Sequence, residues 1–109
     1  MKTTRLVTEK LGLGKDEFVM TFQSRFGKAK WLQPYTDATL KALPQQGVRD
    51  IAIVCPAFSA DCFETLEEIV GENGHLFAEA GGEKFRYIAA LNDDDAHITM
   101  MANLVKPHF

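Results

Sequence analysis

The chain has 109 residues, 46% of them apolar and 25% charged, with a formal net charge of −3. That is enough for one core but not two, and it leaves no basic stripe to neutralise the phosphates of a nucleic acid. No apolar run approaches the roughly 18 residues of a bilayer span and no signal peptide precedes the first periodic segment, so no transmembrane segment is expected.

From the N-terminus, Leu6, Val7 and Leu11 with Lys10 and Gly12 predict a short helix ended by glycine. Gly14 to Asp16 is a turn, and Phe18 to Phe22 reads as a strand. Gln23 to Tyr35 is then a long connection holding aromatics, glycine and proline; connections of that length tend to be functional. Thr36 and Asp37 start a helix over Ala38 to Leu43, stopped near Pro44 and Gly47.

Asp50 to Cys55 is a second strand, apolar and β-branched enough to be buried in a parallel sheet. A helix is predicted from about Asp61 towards Ala80, ending at Gly81-Gly82. Phe85 to Leu91 is a third strand, and Asn92 to Asp95 cap a last helix through Leu104. The alternation implies an α/β fold: one three-layer domain over 1–109, a mostly parallel open sheet with helices on both faces. Cys55 and Cys62 lack a CxxC or histidine-rich setting and read as reduced thiols of a cytosolic protein.

The stretch from Cys55 to Ile69 stands at the sheet edge where open α/β folds bind ligands. At about 100° per residue, Asp61, Glu64, Glu68 and Glu72 fall within about 80° of one another, and Phe63, Leu66, Val70 and Phe77 fall opposite. The helix is therefore expected to turn its apolar stripe to the core and show a ladder of carboxylates outward. Such a ladder is either a solvated face or a row of hard oxygen ligands that recruits a divalent cation. Gly71 and Gly74 weaken the helix by roughly 1 kcal/mol each relative to alanine, a place where a π-helical turn could be accommodated.

Three segments in order resemble the C-terminal part of ferrochelatase, most like its proteobacterial members. They are Phe22-Gln23-Ser24-Arg25-Phe26-Gly27 running into Trp31-Leu32-Gln33-Pro34-Tyr35-Thr36-Asp37, then Cys55 through Ile69, and finally Ala80-Gly81-Gly82-Glu83 through Tyr87-Ile88 to Leu91-Asn92. The resemblance runs along essentially the whole chain. It implies a chelatase-like, Rossmann-like half of a two-domain enzyme that inserts Fe²⁺ into protoporphyrin IX to make protohaem. The N-terminal half would be the missing partner, and the isolated domain is expected to be inactive.

By resemblance, Glu64 matches the acidic active-site residue. Asp61, Glu68 and Glu72 match an acidic row that lines a π-helical path beside it and, with Glu64, would handle the metal. Gln23, Ser24 and Trp31 match positions at the porphyrin pocket, and Phe58 is expected near the macrocycle. His75, His97 and His108 match no family motif, and Cys62 stands where animal members carry a histidine. No cofactor is expected: iron is substrate, and the cysteines of an iron–sulfur cluster are missing. The implied place is the cytoplasm, with peripheral association at the inner membrane surface left open. A related chelatase for coproporphyrin or cobalt, and a non-catalytic α/β module that binds cations, remain the alternatives.

Overall fold

A computed structural model describes residues 2–23 and 32–109. Helix α1 (Lys2–Leu11) stops at Gly12, whose φ of 72° lets its own N–H and that of Leu13 turn back onto the carbonyls of Glu9 and Thr8. The strand expected over 18–22 is reduced to one parallel bridge, Phe22 to Tyr35, and Phe18 and Val19 are exposed. Chemistry limits the ladder: Phe22 donates to the Pro34 carbonyl at 2.9 Å and accepts from Thr36 at 3.1 Å, but Pro34 has no N–H to offer. At Thr36 the chain already turns into α2 (Thr36–Ala42). A 3₁₀ turn at Pro44–Gln46 and a left-handed Gly47 then end this segment where the sequence predicted.

Strands β1 (Asp50–Val54) and β2 (Lys84–Ile88) pair in parallel, in register from Asp50 with Lys84 to Val54 with Ile88. Their residues alternate. Ile51, Ile53, Phe85 and Tyr87 are half-buried, while Ala52, Val54, Arg86 and Ile88 are exposed. A parallel pair needs a long crossover, and the acidic helix supplies it. Under the first face lies a small core of Leu40, Ile69 and Phe77. The Phe77 ring tilts against Phe85 with centroids 6.1 Å apart, and Gly82 approaches Phe77 so closely that a Cβ would run into the ring.

Beyond the C-terminal ends of the strands, α1 and α4 (Asp95–Val105) flank a crevice of about 530 Å³. Its walls include Val7, Val54, Phe58, Ile88 and Met100. Helix α4 begins as expected, with Asp94 accepting from the Ala96 N–H at 3.1 Å. The α/β class and its parallel strands are as the sequence predicted, with two strands among the described residues where three were expected.

The crossover differs most. It is a π-helix over Glu64–Asn73 that runs on as α3 (Gly74–Glu79) and stops at Gly81, φ 110°. It starts at Glu64, three residues later than expected, and it is turned about its axis. Phe63, Leu66 and Val70, expected on the core, are 74%, 50% and 38% exposed. Thr65, Ile69 and Asn73 are buried instead, while Phe77 is buried as expected. A helix bonded i to i+5 takes more residues per turn than an α-helix, so residues three apart part company and a stripe projected at 3.6 residues per turn is lost.

Candidate functional site

Just before the π-helix, Asp61 is the centre of a knot. Its Oδ1 accepts from the Tyr87 hydroxyl at 2.6 Å, the Thr65 hydroxyl at 3.1 Å and the Ala90 N–H at 3.4 Å. Its Oδ2 accepts from the Asn92 amide at 3.1 Å, and the Asp61 N–H donates to Asn92 Oδ1 at 2.8 Å. Thr65, fully buried, also accepts from the Cys62 N–H at 2.9 Å. Donors from β2, the loop after it and the first turn of the π-helix thus meet on one carboxylate.

The protonation states follow. The Tyr87 hydroxyl first and the Asn92 amide second hold the Asp61 carboxyl below the usual carboxylate range. Burial, then the hydrogen bond to Asp61, pushes the Tyr87 phenol up to about 12. Tyr87's share of stability is therefore fully present below its ordinary value of 10.0 and is lost as pH rises towards about 12. Asp61's share is present above 3.8 and is lost as pH falls through its lowered folded value.

Along the helix, Glu64 and Glu68 are half-buried and Glu72 is exposed. Glu68 Oε2 accepts from Gln23 Nε2 at 3.2 Å, and Gln23 Oε1 accepts from Asn73 Nδ2 at 3.3 Å. One glutamine side chain thus bridges two positions of the π-helix, bringing the start of the 23–35 connection onto the acidic row. Ser24 and Trp31 lie outside the described residues.

Cys55, at the end of β1, joins this row to the crevice. It lines the crevice with Phe58, and its thiol is pushed up by burial and then by the negative charges of Asp61 and Glu64. His97 is buried and donates through Nδ1 to the Asn92 carbonyl at 2.7 Å. His75 is exposed and pairs with Glu79 at 2.8 Å. Among the described residues, no three His, Cys, Asp or Glu side chains converge to hold a metal ion. Nor is any helix among them long and apolar enough to cross a membrane.

Sequence reasoning missed Tyr87, Asn92, Thr65 and Asn73. Tyr87 and Asn92 lie 26 and 31 positions from the carboxylate they serve, beyond any helical period. Thr65 and Asn73 lie with Ile69 and Phe77 on an i, i+4 row, a repeat that either kind of helix keeps on one face, so spacing alone did not mark that row as the buried one.

A family model described as Ferrochelatase matches residues 1–109. "Ferrochelatase 2" of Shewanella oneidensis is 83% identical over 108 residues, which is 99% of this chain and 33% of that protein. "Ferrochelatase" of Shewanella denitrificans is 71% identical over 113 residues, again 99% of this chain and 33% of the relative. "Ferrochelatase" of Vibrio parahaemolyticus is 62% identical over 104 residues, 95% of this chain and 32% of the relative. The chain spans about a third of the length of these curated relatives.

Proposed function

Since this chain belongs to the ferrochelatase family, we propose that it is the C-terminal half of a two-domain clamp that inserts Fe²⁺ into protoporphyrin IX. Its partner is the N-terminal half of the same enzyme. The observation that carries the reading is a half-buried Glu64 opening a π-helix, with Glu68 held by Gln23 one turn on and exposed Glu72 beyond it.

Metallation replaces two pyrrole N–H protons by one Fe²⁺ that must shed its water. A carboxylate at the cleft serves by taking a proton or by offering a hard oxygen to the ion. The passage from exposed Glu72 to half-buried Glu68 and Glu64 supports a route along which an ion exchanges water for carboxylate oxygens. Asp61 begins the row, and its oxygens already take four donors, which assigns it to holding the helix more than to holding iron. Gln23, Ser24, Trp31 and Phe58 are assigned to the porphyrin side. Iron is substrate in this scheme. No resident cofactor is proposed, since neither cysteine of this chain stands in a cluster-binding motif.

Exposed Phe63, Leu66 and Val70 along one side of the π-helix support an apolar surface that the other half covers. A clamp with one jaw loses most of the advantage of holding the reactants in place, so the chain alone is assigned little turnover. The proposed place is the cytoplasm, with peripheral contact at the inner membrane surface.

The test replaces the matching third of the Shewanella oneidensis relative by this chain and follows Fe²⁺ insertion, with coproporphyrin and Co²⁺ assayed in parallel to fix the substrate. Glu64→Gln is expected to lower kcat by about 100-fold or more, the scale of a lost proton-transfer group, while the far-ultraviolet dichroism stays unchanged. Undiminished turnover in that variant would overturn the reading.

A further inference from the structure

We infer that Tyr87 and Asn92, acting through Asp61, are positioning residues that set where the Glu64 carboxylate stands; the inference rests on Glu64 carrying the chemistry proposed above. The π-helix has no side-chain cap of its own, because its N-cap position is Phe63. Its start is fixed instead by the Thr65 hydroxyl on Asp61, and Thr65 is the residue after Glu64. Asp61 is in turn held by Tyr87 at 2.6 Å and by a two-way exchange with Asn92 at 2.8 and 3.1 Å.

Asn92 is itself immobilised. Its N–H donates to the Ser59 carbonyl at 2.9 Å, its own carbonyl takes the His97 donor at 2.7 Å, and its φ is +50°. The path runs from the sheet through Asp61 and Thr65 to the first turn of the π-helix. Neither Tyr87 nor Asn92 need touch porphyrin or iron. Loosening the knot lets the first turn shift, and a displacement of about 1 Å at a reacting group costs up to about 100-fold in rate.

The experiment uses the same chimeric enzyme with Tyr87→Phe and, separately, Asn92→Gly, which keeps the positive φ and the Ser59 hydrogen bond while removing the amide. Each is expected to lower kcat about tenfold or more, with KM for porphyrin and for Fe²⁺ within about twofold of the parent. In a Glu64→Gln background, Tyr87→Phe is expected to change the residual rate less than about twofold, because the group it positions is already gone. Parental kcat in both single variants overturns the inference, as does a porphyrin KM that rises in step with the loss, or a full further loss in the Glu64→Gln background. If Glu64→Gln is itself fully active, the reading of Glu64 fails first, and the two failures are told apart by that one control.

Discussion

The two sides of the π-helix are built from the same short stretch and are satisfied in opposite ways. The inner side, Thr65, Ile69 and Asn73, is largely polar, yet each of its polar residues has a partner within the chain. The outer side, Phe63, Leu66 and Val70, is apolar and exposed. Hydrogen bonding orients this helix, and its apolar surface is left for something else. A polar inner row specifies rotation more sharply than an oily one, because a shifted helix would bury donors without acceptors.

Changes at the inner row and its continuation should do the most damage. Phe77→Ala removes the most buried ring among the described residues and is expected to cost about 3–5 kcal/mol, read by urea denaturation. That is a large part of the total stability of a domain this size, at about 5–15 kcal/mol. Thr65→Val keeps the shape but strips Asp61 of a donor and the Cys62 N–H of its acceptor. About 1–3 kcal/mol is expected, with Thr65→Ser recovering most of it; no loss in the valine variant would remove the case for a hydrogen-bonded inner row. Leu66→Ser together with Val70→Ser should cost no more than about 0.5 kcal/mol in the chain alone. A larger loss that appears only in the chimeric enzyme would show that the remaining polypeptide covers this side.

Much of the fold was legible because single residues carry its punctuation. Gly12, Gly47 and Gly81 occupy positive φ where the sequence placed helix ends, and Asp94 caps α4 in the predicted stretch. The strand expected over 18–22 was misread for a physical reason. Its apolar pattern is real, but the stretch it meets offers one hydrogen-bonding residue between a proline and a helix start. The acidic row was found from spacing, since Glu64, Glu68 and Glu72 lie together on the i, i+4 repeat in either kind of helix. The apolar stripe was misplaced because its projection assumed about 3.6 residues per turn. Gly71 and Gly74 marked where that assumption was weakest, and Gly74 also sits with space for a Cβ only 3.5 Å from the Phe85 ring.

Cys55 carries a consequence for oxidation. Its thiol, pressed upward first by burial and then by two neighbouring carboxylates, stays protonated at neutral pH. The thiolate is the form that oxidises and exchanges with disulfides, and the thiol does neither readily. Burial and the carboxylates beside the end of β1 thus protect its sulfur from oxidation.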